Sequence, residues 1–216
     1  MKKLKQNIII FDLDGTLTDS AEGIIRSAQY MQEKMGQRVW TKEELHFLIG
    51  PPLIRSFTEE FGMEYETALK AIDVFRERYA EIGLFENAVY PGVKEMLGAL
   101  QKQGKRLAVA TSKHEGLALR ILDHFGLTEY FELIGGDRRE LGRDNKEKVI
   151  QYVLEAMEAE KRDVIMVGDR KFDIEGAHAI GIPCIAVGYG YGSREEFQAC
   201  GADVIVNTTE ALTELF

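Results

Sequence analysis

Short apolar runs punctuate the chain at Asn7–Phe11, Arg106–Thr111, Phe131–Ile134, Asp163–Gly168, Pro183–Val187 and Asp203–Val206. Each is of strand length and mostly apolar at successive rather than alternate positions, the pattern of strands buried on both faces. Segments with apolar residues at helical spacing separate most of them: Val93–Gln103, Glu115–Phe125, Lys146–Glu158 and Ile174–Ile180. Such alternation predicts an α/β fold, a parallel sheet with helices on both sides.

One stretch breaks the alternation. Between Asp19 and Ala88 there is no convincing strand pattern. Ile24, Ala28 and Met31 fall at helical spacing, as do Leu69, Ile72 and Phe75 with Tyr79. Pro51 and Pro52 can open a helix that carries Leu53, Ile54 and Phe57, because proline suits the first helical turn. A small all-α domain is therefore expected, inserted after the first strand. The predicted organisation is core over residues 1–18, helical domain over 19–88, and the remainder of the core over 89–216.

Composition narrows the class. With 45% apolar and 29% charged residues the chain reads as an ordinary globular protein. No run reaches the roughly 18 apolar residues of a membrane-spanning helix, so no membrane partner is expected. The first apolar run stops at Asp12 after Ile8, Ile9, Ile10 and Phe11. That is too short for the apolar region of an export signal and fits a strand. A net charge of −9, from 36 acids against 27 bases, with no long basic run, argues against a nucleic-acid polymer as partner. Cys184 and Cys200 form no metal-ligand pattern. Without an export signal, both are expected as reduced thiols in a cytoplasmic protein.

The candidate chemistry lies at strand ends. The first strand runs into Asp12-Leu13-Asp14-Gly15-Thr16, and ligands in open α/β sheets bind just beyond the carboxyl ends of strands. Asp and Gly also favour simple turns, the competing reading. A second acidic pair follows the strand Val164–Gly168 as Asp169 and Asp173. Together the four carboxylates make an oxygen-rich site of the kind that suits Mg²⁺. Asp173 also fits the N-cap of a helix starting near Ile174, and the two roles are compatible. Thr111 and Ser112 end another strand before a helix, where hydroxyls and free backbone N–H groups can cradle a phosphate; the same residues are common helix caps. Lys146 opens a helix, where a cation opposes the helix dipole. That misfit points to a task such as pairing with a carboxylate or phosphate, with Lys148 as the competing lysine.

In this order, Asp-x-Asp-Gly-Thr at 12–16, Thr111, Lys146 and Gly-Asp-x-x-x-Asp at 168–173 resemble the motifs of the haloacid dehalogenase-like superfamily of phosphohydrolases. The segment Ile49-Gly50-Pro51-Pro52-Leu53 and the run Gly188-Tyr189-Gly190-Tyr191-Gly192-Ser193 resemble its phosphoglycolate phosphatase-like and 5'-nucleotidase-like members. The resemblance implies a Rossmann-like parallel core, with the helical insert as a cap that closes over the site. It implies Asp12 as nucleophile, forming an aspartyl-phosphate, and Asp14 as general acid and then base. It implies Mg²⁺ held by Asp12, Asp14 and Asp169 with Asp173 nearby, and phosphate bound by Thr111, Ser112 and Lys146. Thr16 within the first motif is the phosphatase variant of the family and joins the phosphate-binding set. The expected substrate is a small soluble phosphomonoester, phosphoglycolate or a nucleoside monophosphate first, with a β-phosphoglucomutase-like activity or pyrophosphate hydrolysis as alternatives. Arg55, Lys113 and Glu22 are the candidates for substrate specificity, against the default that each is a solvated charge. Monomer and homodimer both remain open.

Overall fold

The computed structural model describes residues 3–216. In chain order the strands are β1 (Ile8–Phe11), β2 (Thr18–Asp19), β3 (Ala88–Val89), β4 (Arg106–His114), β5 (Leu133–Asp137), β6 (Val164–Gly168), β7 (Cys184–Val187) and β8 (Val204–Val206). The helices are α1 (Ala21–Lys34), α2 (Leu53–Glu59), α3 (Tyr65–Arg78), α4 (Val93–Lys102), α5 (Glu115–His124), α6 (Lys146–Ala156), α7 (Lys171–Ile180), α8 (Arg194–Ala199) and α9 (Thr209–Thr213). The chain divides into two compact units, one running up to Thr18 and again over Val89–Phe216, the other Asp19–Ala88. β2 and β3 pair with each other where the chain passes out of the first unit and back into it.

The first unit is a six-stranded sheet in the order β5-β4-β1-β6-β7-β8, with every neighbouring pair parallel. It is the α/β fold expected from the alternating pattern. Side chains alternate across the sheet, and both faces are apolar. On one face Ile8, Ile10, Met166 and Ala186 join Val149, Val153, Ile174 and Ala177 from α6 and α7 in a single cluster. On the other Ile9, Phe11, Leu107, Val109, Ile165 and Val167 are equally buried. Double-sided burial explains why the strands read as continuous apolar runs rather than alternating ones. Two boundaries differ from expectation. β4 continues past Thr111 to His114, with a register shift against β5 between Ala110 and His114. α7 begins at Lys171 rather than Ile174. Asp173 therefore sits inside the first turn, and its carboxylate accepts the Arg170 N–H at 3.0 Å.

The helical unit has an aromatic centre. Trp40 packs against Phe61 at 4.8 Å and Phe47 at 6.1 Å between ring centroids, and Phe57 joins through Phe61 at 5.5 Å. Trp40 is thus a packing residue of this unit. α1 crosses the π-helical turn Tyr79–Gly83 very closely. A Cβ on Gly23 would stand 1.9 Å from the Gly83 carbonyl oxygen. Gly23→Ala is accordingly expected to destabilise by about 2 kcal/mol through overpacking. In a thermal melt it lowers the midpoint by roughly 5 °C. An unchanged midpoint would show that the two segments can separate freely. Among the described residues, no helix is long and apolar enough to cross a membrane.

Candidate active site

Sheet order brings the acidic strand ends together. β1 lies between β4 and β6, with Phe11 opposite Val109 on one side and Val167 on the other. The residues that follow, Thr111, Asp12 and Asp169, therefore emerge side by side at the carboxyl edge. The Asp12 N–H continues the ladder by donating to the Val167 carbonyl at 2.9 Å. Asp12, Asp169 and Asp173 each present a carboxylate oxygen within 4.8 Å of the others, and all three are buried.

Lys146 reaches into this cluster. Its Nζ lies 2.8 Å from Asp12 Oδ1 and 2.8 Å from Asp173 Oδ1, and it donates to the Ala110 carbonyl at 3.1 Å. Only 5% of the residue is exposed, which a lysine tolerates only with full pairing. Helix phase decides between the two candidate lysines: Lys148 points outward and pairs with Asp144 at 2.8 Å on the surface. Asp173 splits its oxygens. Oδ1 faces Lys146, while Oδ2 accepts the backbone N–H groups of Asp169 at 3.1 Å and Arg170 at 3.0 Å. Helix cap and site residue are the same side chain.

Asp169 is held by two donors, the Tyr191 N–H on Oδ2 at 2.8 Å and the Thr16 hydroxyl on Oδ1 at 3.4 Å. Thr16 is fully buried, so its hydroxyl serves this internal bond. Asp14 faces Lys113, whose Nζ lies 2.9 Å from Oδ1 and 2.8 Å from Oδ2. The sequence groups Lys113 with the specificity residues; the structure places its ammonium on the Asp14 carboxylate. Thr111 is buried and its hydroxyl accepts the Lys113 N–H at 3.2 Å. The Ser112 hydroxyl oxygen is buried with no hydrogen-bond partner among the described residues, an unfilled acceptor and donor in the expected phosphate cradle. Arg55 and Glu22 lie in the helical unit. Arg55 pairs with Glu59 at 2.8 Å, and Glu22 with Arg26 at 2.6 Å and Lys42 at 3.6 Å, in exposed ion pairs.

Charge balance in the cluster is unfavourable as it stands. Burial raises the Asp12 carboxyl from its ordinary 3.8 to about 6, with Lys146 opposing the rise and Asp173 adding to it. Burial, then Asp173 and Asp12, push Asp169 well above the ordinary carboxylate range. Burial alone would lower Lys146, but Asp12 and Asp173 outweigh it and hold the ammonium firmly charged. Three crowded carboxylates against one ammonium leave negative charge that a hard divalent cation with oxygen ligands fits. Such a donor set would include Asp12 and Asp169, with Asp173 behind them.

Two further participants come from the run Gly188–Ser193, which the sequence marks by resemblance but without a role for either tyrosine. Tyr191 supplies a backbone donor to Asp169, and the Tyr189 hydroxyl donates to the Thr16 carbonyl at 3.1 Å across a separation of 173 residues. No local pattern marks such a contact.

Comparison with known proteins agrees with this geometry. Residues 9–187 match the haloacid dehalogenase-like hydrolase family. A 5'-nucleotidase of Pseudomonas aeruginosa is 40% identical over 88% of this chain and 86% of its own. The tyrosine-protein kinase PtkA of Mycobacterium tuberculosis is 38% identical over 96% of this chain and 70% of its own. The crystal structure of a predicted phosphatase from Clostridium acetobutylicum superposes with a TM-score of 0.94 at 42% identity, covering 97% of both chains. With its sheet order, its acidic strand ends and these relatives, the chain belongs to the haloacid dehalogenase-like hydrolase family, as a phosphoric monoester hydrolase.

Proposed function

We propose that the protein hydrolyses a small soluble phosphomonoester through an aspartyl-phosphate on Asp12, with Mg²⁺ as cofactor. The observation that carries the reading is the Asp12 carboxylate itself. It is buried at a strand end, fixed by Lys146 at 2.8 Å, and flanked by an Asp14 carboxylate that Lys113 orients. In the first step Asp12 attacks phosphorus, the ester P–O bond breaks, and Asp14 gives the leaving oxygen its proton. In the second, Asp14 takes a proton from water, whose oxygen attacks phosphorus and releases phosphate from Asp12. Thr111, Ser112 and Lys146 bind the phosphoryl oxygens in both steps. Mg²⁺, when bound by Asp12 and Asp169, supplies the charge that offsets repulsion between two anions. The helical unit is assigned the role of a cap that excludes bulk water and selects the leaving group.

The substrate class favoured first is a nucleoside 5'-monophosphate, supported by the 5'-nucleotidase named at 40% identity. Phosphoglycolate is the second reading, supported by the segment Ile49–Leu53. The deciding measurement is phosphate release from nucleoside monophosphates, phosphoglycolate, β-glucose 1-phosphate and pyrophosphate, with Mg²⁺ and with chelator. Metal-dependent release at about 1 per second or faster, greatest for nucleoside monophosphates, is expected. Conversion of glucose 1-phosphate only on addition of a sugar bisphosphate would replace hydrolysis by a mutase activity. ATP-dependent labelling of tyrosine without phosphate release from any ester would replace it by the activity named for the mycobacterial relative.

A further inference from the structure

After β7 the chain returns across the strand ends through Gly188–Ser193, and it grips both sides of the acidic cluster. On one side the Tyr191 N–H donates to Asp169 Oδ2 at 2.8 Å. On the other the Tyr189 hydroxyl donates to the Thr16 carbonyl at 3.1 Å. Thr16 in turn donates its side-chain hydroxyl to Asp169 Oδ1 at 3.4 Å. Gly190 lies between the two tyrosines, where a Cβ would stand 2.3 Å from the Gly15 carbonyl oxygen and 2.4 Å from Asp169 Cβ. Only glycine fits that gap without displacing backbone or acid.

The nucleophile loop is knit locally from two carbonyls, and that of Thr18 accepts the N–H of Gly15 at 2.8 Å. Leu13 accepts the N–H groups of Thr16 at 3.3 Å, Leu17 at 2.9 Å and Thr18 at 3.1 Å. Those bonds set the shape of the loop but not its distance from β6. Ties of the second kind are the Asp12 N–H on the Val167 carbonyl, the Thr16 hydroxyl on Asp169 and the Tyr189 hydroxyl, which comes from a loop that also holds Asp169. The Tyr189 ring packs on Tyr90 at 5.2 Å between centroids, and the Tyr90 N–H donates to the Leu17 carbonyl at 3.1 Å. Tyr90 directly follows β3, so one aromatic side chain touches the nucleophile loop at Thr16 and the point where the chain re-enters the sheet unit.

We infer that Tyr189 is a positioning residue, whose hydroxyl holds the Asp12–Leu17 loop at its working distance from Asp169. The inference rests on the assignment of Asp12 and Asp169 as nucleophile and cation ligand. Burial pushes the phenol well above its ordinary range, so it remains a donor throughout the pH range of the protein.

The test is Tyr189→Phe, which keeps the ring and its packing on Tyr90 and removes only the donor. Amide exchange of Gly15, Thr16 and Leu17 in the metal-free protein is expected to quicken roughly fivefold, the equilibrium weight of one neutral hydrogen bond. The dissociation constant for Mn²⁺, followed by its paramagnetic signal, is expected to rise about tenfold, as outer groups that orient ligands typically dictate. kcat falls by a similar factor with KM unchanged. Loop exchange within twofold of the wild type overturns the inference, whatever happens to activity. Faster exchange with unaltered Mn²⁺ affinity also overturns it, because the bond then shapes the loop without setting its distance to Asp169. A wild-type protein that neither binds Mn²⁺ nor hydrolyses any ester defeats the functional reading instead, and the exchange rates then still decide whether Tyr189 holds the loop.

Discussion

Asp12→Asn is expected to lower kcat by on the order of 10⁴-fold or more, as loss of a covalent nucleophile does in other hydrolases, while the metal-free protein melts higher than the wild type at pH 7.5. The two effects have one origin. Asp12 is buried with Asp173 beside it, and its carboxyl is raised from 3.8 to about 6 even with Lys146 in contact. A tenfold weaker acid in the folded state corresponds to about 1.4 kcal/mol, so holding the carboxylate ionised at neutral pH costs the fold as much as about 3 kcal/mol. An asparagine of the same shape removes that charge, and its carbonyl oxygen still accepts from Lys146 Nζ. A variant that is inert yet firmer separates chemistry from folding. Retained turnover would remove Asp12 from the nucleophile role, and a lower midpoint would show that the Lys146 pair matters more to the fold than the crowding does. Asp14→Asn sharpens the assignment. Loss of a general acid typically costs about 10² to 10⁴-fold, and in the first step, read as the pre-steady-state release of alcohol, that loss should be large for an alkyl phosphate and small for p-nitrophenyl phosphate, whose leaving group needs no proton. Equal losses of first-step rate on both esters would remove Asp14 from the general-acid role and leave it only the base role on water in the second step.

Much of the core is legible because its determinants are local. Double-sided burial makes each strand a continuous apolar run, so β1, β6 and β7 fall within a residue of the expected spans. Asp12, Asp14, Asp169 and Asp173 stand out because carboxylates rarely follow such runs without cause. Features set by long-range contact are not legible. The pattern starts α7 too late because Asp173 reads as the residue before the helix, whereas it occupies the first turn and reaches back. The short helices α8 and α9 leave no trace in the pattern, since neither is long enough to show a helical period. Lys113 stands out as a candidate beside the phosphate cradle, but its partner does not, because only the run of β4 on to His114 brings its ammonium to Asp14. Tyr189 and Thr16 have nothing in common along the chain; only the sheet order places them together.

The same crowding predicts how cation and proton compete. Asp12 binds its proton in the folded state up to about pH 6 but in the unfolded chain only up to its ordinary 3.8. Between those values the folded state holds more protons, so metal-free stability rises as pH falls through that window. Asp169 is shifted in the same direction. Glu86 works the other way, held below its ordinary 4.5 by Arg78, but its contribution is lost only as pH falls below about 4.5. A series from pH 7.5 to 5.5 therefore stays above the range in which the Glu86 contribution changes. In chelator the melting temperature is expected to rise toward pH 5.5. Mg²⁺ at 100 times its dissociation constant adds about 2.7 kcal/mol at pH 7.5, a rise of roughly 5–10 °C for a chain of this size, and much less at pH 5.5, where protons occupy the same oxygens. Activity follows occupancy: chelation at pH 7.5 is expected to cost on the order of 10³-fold, since a bound metal contributes several kcal/mol to the transition state. A cation shift of equal size at both pH values would mean that the ion binds away from Asp12 and Asp169. The expected inequality would tie it to the one place among the described residues where three buried carboxylates meet a single ammonium.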